Sequence, residues 1–203
     1  MSTVCLIPIK KLETAKSRLS SHFSNNSRRE IFMYMLRRTI ETVNESTFKE
    51  CWLLSSDPEI EIFAKETGNR VFPDCAEGLN STLKHYISKV FVSGYNAMYL
   101  APDLPLIDQN SLLQMLEVFD KNSQIVIVPD LDKKGINSII WRKNNFLGPY
   151  LGFNSYQRHI QQAKNLNKSI TIFETPQLQT DLDTIDQFNN LPDSIRSKLL
   201  SLG

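Results

Sequence analysis

The apolar residues of this chain form short runs that alternate with stretches of helical spacing. Short apolar runs bounded by turn-forming residues predict buried strands, and apolar residues three or four positions apart predict helices. The predicted strands are residues 4–9, 51–54, 70–72, 97–100, 125–128, 136–141 and 170–173. The predicted helices are residues 31–43, 59–67, 79–90, 111–119, 156–166, 184–190 and 192–202.

Strands that alternate with helices in this way predict an α/β fold. We expect a doubly wound, mostly parallel sheet with helices on both faces. Residues 130–156 interrupt the alternation and predict an insertion, with an antiparallel edge and a substrate site. No linker or repeat divides the chain, so residues 1–203 are expected to form a single domain.

Composition narrows the class of protein. The chain has 203 residues, of which 41% are hydrophobic and 22% charged, as in globular proteins rather than disordered ones. Lys plus Arg is 23 and Asp plus Glu is 22, so the net charge is +1. This balance gives no global argument for binding nucleic acid or an anionic membrane. A basic site for a small anion stays compatible with it.

Cysteine use and hydropathy point to an enzyme of the cytoplasm. The 3 cysteines are far apart and lack Cys-x-x-Cys spacing, which argues against a zinc site or a disulfide framework. No apolar run is long enough to cross a bilayer, and no basic segment precedes the first apolar run. The Leu-rich C-terminal segment is compatible with a homodimer contact and equally with core packing.

A basic loop follows the first predicted strand and contains Lys10, Lys11, Lys16 and Arg18. It has no glycine, so it is neither a dinucleotide-binding Gly-x-Gly-x-x-Gly motif nor a P-loop. A solvated loop is one interpretation. Because ligands of doubly wound folds bind beyond the carboxyl ends of strands, the other is that Lys16 and Arg18 bind phosphates.

Three aspartates also follow predicted strands. Asp103 lies after the fourth strand, and Asp181 and Asp183 lie after the last one. In an extended segment, residues two apart point the same way, so Asp181 and Asp183 would present adjacent carboxylates. Helix capping is the structural interpretation, and it is compatible with binding of Mg²⁺ or Mn²⁺ by hard oxygen ligands.

These motifs, taken together, resemble the 2-phospho-L-lactate guanylyltransferase (CofC-like) family. The resemblance covers about residues 4–191, nearly the whole chain. Single blocks are weak signals, and the set in order is specific. The blocks are Ile7-Pro8-Ile9-Lys10, Ala15-Lys16-Ser17-Arg18-Leu19, Asp103-Leu104-Pro105-Leu106, Tyr150-Leu151-Gly152-Phe153-Asn154-Ser155 with Arg158-His159, and Asp181-Leu182-Asp183-Thr184.

The resemblance implies a nucleotide-diphospho-sugar transferase-like fold of the molybdenum-cofactor guanylyltransferase type. It implies transfer of GMP from GTP to 2-phospho-L-lactate, phosphoenolpyruvate or 3-phospho-D-glycerate, with pyrophosphate release, in coenzyme F-420 biosynthesis. Small molecules would then be the partners, with Mg²⁺ as cofactor.

The resemblance also assigns residues. Asp103, Asp181 and Asp183 would bind two magnesium ions, and Lys16 and Arg18 would face the triphosphate. The remaining substrate-binding positions are Lys10, Asp74 and Asn80 towards the nucleotide, and Asn137, Gly152 and Ser155 towards the acid.

Two departures from the family pattern fall in the acid site. Ile136 stands where the family has a threonine that contacts the acid, and isoleucine cannot donate a hydrogen bond. Asn137 is a candidate substitute. Phe153-Asn154 replaces a Pro-Gly pair. The acid is therefore the open part of the prediction. Alternatives are a transferase of the same fold acting on a sugar phosphate or pterin, and a catalytically silent nucleotide-binding domain.

Overall fold

A computed structural model describes residues 2–122 and 124–202. Its centre is a 7-stranded sheet in the order β3-β2-β1-β4-β6-β5-β7. β1 pairs in parallel with β2 and β4, and β5 pairs in parallel with β7. The strands are β1 Thr3–Pro8, β2 Glu50–Leu54, β3 Arg70–Phe72, β4 Asn96–Leu100, β5 Ile125–Pro129, β6 Ile136–Trp141 and β7 Thr171–Ile172.

Helices connect and cover the strands. Every residue of β4, β5 and β6 is buried. Because successive side chains of a strand point to opposite faces, both faces of the sheet are covered, which confirms the predicted fold class. The helices are α1 Asn25–Asn44, α2 Pro58–Glu66, α3 Leu79–Val92, α4 Gln109–Asn122, α5 Ser155–Asn165, α6 Pro176–Gln179, α7 Ile185–Asn189 and α8 Asp193–Leu200.

Capping residues begin two of these helices where the sequence places turn signals. Ser24 is the N-cap of α1, and its side chain accepts a hydrogen bond from the backbone of Ser27. Asp57 is the N-cap of α2, and Pro58 follows at the first helical position. No helix within the described residues is both long and apolar enough to cross a membrane.

The inserted strand β6 is antiparallel, as expected, but it does not lie at an edge. It pairs with β4 on one side and β5 on the other. The expectation of an edge strand was therefore wrong. An edge strand would leave one row of backbone groups unpaired and tolerates polar residues, whereas β6 is apolar at most positions and buried throughout.

The chain reverses its winding between β1 and β4. From β1 it moves outward to β2 and β3, and β4 then returns to the other side of β1. In doubly wound sheets the crevice at such a reversal is the usual ligand site. The loops after Pro8 and after Leu100 therefore meet at this crevice.

A small hydrophobic cluster fixes the C-terminal part of the chain beside that crevice. Leu182 is fully buried in it, next to Leu19 and residues of α1. Leu199 of α8 belongs to the same cluster, while Leu200 is 54% exposed. Burial of Leu182 and Leu19 brings residues 181–183 close to the basic loop that follows β1.

Candidate active site

Lys16 lies at the centre of the crevice. It sits between two short 3₁₀ turns, Leu12–Thr14 and Ser17–Leu19, with a left-handed backbone at φ 51°. This conformation is uncommon for a residue with a side chain, and such outliers concentrate at functional sites. The lysine side chain is only 3% exposed. A buried ammonium requires anionic partners.

Two of the three predicted aspartates supply those partners. Lys16 Nζ donates to Asp103 Oδ2 at 2.5 Å and to Asp183 Oδ1 at 3.0 Å. Arg18 lies at the rim, where its Nη1 is 3.6 Å from Asp183 Oδ2 and its side chain is 74% exposed. The structure thus brings together residues that are up to 167 positions apart in sequence.

The Asp181–Asp183 segment does not directly follow a strand, contrary to expectation. Among the described residues β7 pairs with β5 alone, and helix α6 intervenes before the segment. The backbone amide of Leu182 then donates to the carbonyl of Asp103 at 3.3 Å. Leu182 is buried, and the aspartates on either side of it are half-buried, which is the alternation that the sequence predicts.

The protonation equilibria of these groups are coupled. Burial alone would lower the pKa of Lys16, but the charges of Asp103 and Asp183 outweigh it and raise the pKa. Burial likewise favours protonation of Asp183, yet the cations Lys16, Arg18 and Lys10 hold its pKa below the usual value. Asp181 differs. Burial, then repulsion from Asp103 and Asp183, raises its pKa to about 7.

A cleft of about 550 Å³ opens in front of Lys16. Its lining includes most of the residues predicted to bind the nucleotide and none of those predicted to bind the acid. Gly78, the N-cap of α3, also lines it and adopts φ 94°, a conformation that favours glycine. The predicted residues in the lining are Lys10, Lys16, Arg18, Asp74, Asp103 and Asp183.

Asn80 is engaged by the loop that precedes α5. Its side-chain nitrogen donates to the carbonyl of Leu151 at 3.1 Å, and its oxygen accepts from the Leu151 amide at 2.9 Å. Asn80 therefore fixes the backbone immediately before Gly152. Its predicted contact with the nucleotide stays a prediction.

Asn137 likewise holds a neighbouring segment. It is buried, and its side-chain nitrogen donates to the carbonyls of Leu178 and Gln179 at 3.1 and 2.9 Å. These bonds connect β6 to the end of α6, just before Asp181. The proposed substitution of Asn137 for the missing threonine stays a prediction, and Ile136 beside it is only 6% exposed.

Gly152 and Ser155 lie in the turn that begins α5. Gly152 adopts φ 110° and Asn154 adopts φ 51°, so the loop is tightly folded. Ser155 is only 2% exposed, and its hydroxyl has no hydrogen-bond partner within residues 2–122 and 124–202. Phe153, by contrast, is 87% exposed.

His159 has a structural role in the same turn. It is fully buried, Nδ1 lies 2.7 Å from the carbonyl of Ser155, and Nε2 accepts from the amide of Tyr150 at 3.1 Å. Burial lowers its pKa, so the ring is neutral near pH 7. Both ring nitrogens therefore bind backbone groups and hold the loop.

Gln187 was missed by the sequence reasoning. It lies in α7, whose N-cap is Thr184, and the two residues form a capping box. The spacing Thr-x-x-Gln is a recognisable helix-start signal. What the spacing does not reveal is that the Gln187 side chain also donates to Asp181 Oδ1 at 3.0 Å.

The site is not a ready-made metal cage. Among the described residues, no group of three or more acidic, histidine or cysteine side chains is arranged to hold a metal ion. The ammonium of Lys16 instead occupies the space between Asp103 and Asp183. The predicted metal role of the aspartates stays a prediction.

Comparison with known families decides the class of enzyme to which this chain belongs. Residues 3–191 match the family model described as "Guanylyl transferase CofC like". The chain belongs to the CofC-like guanylyltransferase family. It is therefore a nucleotidyltransferase, as the resemblance implied.

Relatives of this CofC-like protein include enzymes named for two acids. A phosphoenolpyruvate guanylyltransferase of Chloroflexus aggregans is 30% identical over 183 residues, which are 87% of this chain and 90% of the relative. A 2-phospho-L-lactate guanylyltransferase of Methanosphaera stadtmanae is 25% identical over 194 residues, 93% of this chain and 82% of the relative.

Solved structures support the fold of the CofC-like chain. A structure from Desulfovibrio desulfuricans, named for a nucleotide-diphospho-sugar transferase, superposes with a TM-score of 0.82 at 18% identity, covering 100% of this chain and 94% of that one. A CMP:2-keto-3-deoxy-manno-octonic acid synthetase complexed with CTP gives a TM-score of 0.65 at 12% identity, with 99% of each chain covered.

Proposed function

We propose that this protein transfers the guanylyl group of GTP to a small phosphorylated carboxylic acid and releases pyrophosphate. Phosphoenolpyruvate and 2-phospho-L-lactate are the first candidate acceptors, with 3-phospho-D-glycerate as a third, and coenzyme F-420 biosynthesis is the proposed pathway. The observation that carries the proposal is the buried Lys16, paired with Asp103 and Asp183 at the point where the sheet reverses its winding.

The cleft fits a nucleoside triphosphate. Its volume of about 550 Å³ lies within the usual range for small-molecule sites. Lys10, Lys16 and Arg18 line the cleft and supply cationic groups that suit phosphate oxygens. Asp74 lines the same cleft, and a carboxylate can accept hydrogen bonds from the ring and amino N–H groups of guanine.

The aspartates fit a magnesium ion that is completed by the substrate. Mg²⁺ is usually bound by one or two carboxylates together with substrate phosphates, not by an all-protein cage. Asp103 and Asp183 already converge on one cation, the ammonium of Lys16, and Asp181 lies beside them with a pKa of about 7. We propose that these three residues hold Mg²⁺, which would supply charge neutralisation for the triphosphate and pyrophosphate.

The chain's own residues would act mainly by positioning charge. In the proposed reaction a phosphate oxygen of the acid forms a bond to the α-phosphorus of GTP, and the bond from that phosphorus to the pyrophosphate oxygen breaks. The attacking oxygen is already anionic at neutral pH, so no general base is required. Lys16 and Arg18 would stabilise the departing pyrophosphate.

The turn before α5 is the proposed acid site. Ser155 offers a hydroxyl without a partner among the described residues, at the N-terminal end of an 11-residue helix. Helix N-termini favour anions, and a free hydroxyl can donate to one of the acid's oxygens. Gly152 leaves the approach free of a side chain.

A product analysis tests the proposal. The protein is incubated with GTP, Mg²⁺ and each of the three acids in turn, and products are identified by mass. We expect pyrophosphate and a guanylylated acid from at least one of them. The Asp103→Asn protein, prepared in parallel, controls for contaminating activity. Lack of product with every acid, and with other nucleoside triphosphates, would show that the proposal is wrong.

A further inference from the structure

The segment that bears Asp181 and Asp183 has no regular secondary structure of its own. Residues 180–183 lie outside any helix or strand, between α6 and α7. Ligand groups on such a segment need outside support to keep a fixed geometry. Leu182 anchors the middle through its buried side chain and its backbone bond to Asp103, and Lys16 pairs with the Asp183 carboxylate, but none of these contacts orients the carboxylate of Asp181.

One side-chain amide contacts both aspartates. Gln187 Oε1 accepts from the backbone amides of Asp183 and Thr184 at 2.7 and 2.8 Å. Gln187 Nε2 donates to Asp181 Oδ1 at 3.0 Å. The amide therefore fixes the backbone at Asp183 and one oxygen of the Asp181 side chain at the same time.

The two ends of this amide have separable roles. Oε1 completes the capping box of α7, for which glutamate serves as well as glutamine. Nε2 is not needed for the cap, and its donation to Asp181 Oδ1 restricts the rotation of that carboxylate. A donor of this kind to a metal-binding carboxylate is a common supporting interaction in metal sites.

We propose that Gln187 is a positioning residue that orients the Asp181 carboxylate for a divalent cation. This inference rests on the proposed function, because it takes Asp181 to be a metal ligand. Gln187 itself contacts neither metal nor substrate in this scheme; it acts through Asp181.

The substitution Gln187→Glu separates the two roles. It keeps an oxygen that accepts from the amides of Asp183 and Thr184, so the cap is retained and we expect a cooperative thermal transition. It removes the donor to Asp181 and places a second carboxylate against it. We expect the dissociation constant for Mn²⁺ alone, measured by electron paramagnetic resonance of free Mn²⁺, to rise about tenfold.

Thr184→Ala is the matched control. It removes the Thr184 hydroxyl, which accepts from the Gln187 backbone amide and donates to Gln187 Oε1. It keeps the two backbone amides that donate to Oε1 and the donation from Nε2 to Asp181. We expect a lower thermal midpoint and unchanged Mn²⁺ affinity. If Thr184→Ala weakens Mn²⁺ as much as Gln187→Glu does, the effect comes from the cap and the inference is wrong.

A double-mutant cycle with Asp181→Asn completes the test. If Gln187 acts through Asp181, Gln187→Glu has no further effect on Mn²⁺ affinity once Asp181 is replaced. An equal loss in both backgrounds, or Mn²⁺ binding by Gln187→Glu as tight as in the wild type or tighter, overturns the inference. If Asp181→Asn alone binds Mn²⁺ normally, the metal role of Asp181 in the proposed function fails as well, so the two failures are distinguishable.

Discussion

The two sides of the site are built on different principles. The charged side, made of Lys16, Asp103 and Asp183, is a cluster of ions held together by mutual contacts of 2.5 and 3.0 Å. The inserted side, residues 130–156, is held by polar side chains that bond to backbone groups, as Asn137 and Asn80 do. Asn80 and Asn137, which the sequence predicts to bind substrate, therefore hold the backbone of the inserted side in place.

Because of this difference, substrate binding must break existing contacts on the charged side but not at Ser155 on the inserted side. On the charged side, the ammonium of Lys16 lies between Asp103 and Asp183, which under the proposed function share a metal ion. Bringing in metal and triphosphate therefore requires Lys16 to exchange partners. On the inserted side, Ser155 keeps a hydroxyl without a partner among the described residues, and Phe153 is open to solvent. The Ser155 hydroxyl therefore has no hydrogen bond to a described residue that must break first.

The largest expected effect is that of Asp103→Asn. The amide loses the charge that pairs with Lys16 and, under the proposed function, a ligand to magnesium. Because such charge stabilisation is worth several kcal/mol in the transition state, we expect turnover to fall on the order of a thousandfold. Pyrophosphate release measures it.

The exposed Asp186→Asn on α7 is the matched control for that variant and should retain normal turnover. Asp103→Asn should also keep a cooperative thermal transition, since the change is isosteric. Near-normal pyrophosphate release by Asp103→Asn would refute the assignment of the charged side as the catalytic centre.

Lys16→Met is expected to change two affinities in opposite directions. Loss of the ammonium removes a phosphate contact, so the KM for GTP should rise about tenfold or more while that for the acid changes little. It also leaves Asp103 and Asp183 without their internal cation, so Mn²⁺ alone should bind more tightly than to the wild type. Steady-state kinetics and a nucleotide-free Mn²⁺ titration check the two parts, and weaker Mn²⁺ binding would contradict the exchange of partners.

The placement of Lys16 and Asp103 on the charged side could be predicted from sequence because both follow strands. Strands β1 and β4 are clear apolar runs, so the positions of Lys16 and Asp103 at one edge of the sheet follow from topology. The Asp181–Asp183 segment could not be placed this way, because α6 separates it from β7. Its location depends on burial of Leu182 against Leu19, a contact between distant parts of the chain.

The inserted side was less predictable for a physical reason. An asparagine or histidine in sequence shows its donors and acceptors but not which backbone groups they meet. Asn80 and Asn137 were both predicted to bind substrate, and each is bonded to backbone groups of its own chain. The position of β6 between β4 and β5 was also missed, because an apolar run predicts a buried strand but not which strands pair with it.

Ser155→Ala tests the inserted side with a smaller expected effect. Because the hydroxyl has no partner among the described residues, its removal should leave the thermal midpoint unchanged. Under the proposed function it takes away one hydrogen bond to the acid, which is worth about 1 kcal/mol or somewhat more to a charged group. We expect the KM for the acid to rise several-fold with an unchanged KM for GTP. An equal rise in both constants would place Ser155 outside the acid site.

The smallest effect is a pH dependence of stability that sets Asp181 apart from Asp183. In the metal-free protein the pKa of Asp181 is raised from 3.8 to about 7, so between these values the folded state binds more protons than the unfolded state. The free energy of unfolding therefore falls as pH rises through this window. Asp181→Asn removes the titrating group, so in the presence of a chelator it should melt a few degrees above the wild type at pH 8. The difference should shrink towards pH 5, because the wild-type carboxyl is then protonated in the folded state.

Asp183→Asn should behave oppositely and melt below the wild type at pH 8. Lys16 holds the pKa of the wild-type Asp183 below its usual value, so the charged form of that carboxyl stabilises the fold. Thermal melts of both variants at the two pH values check the contrast, and a destabilised Asp181→Asn at pH 8 would show that repulsion among the carboxylates does not govern this site.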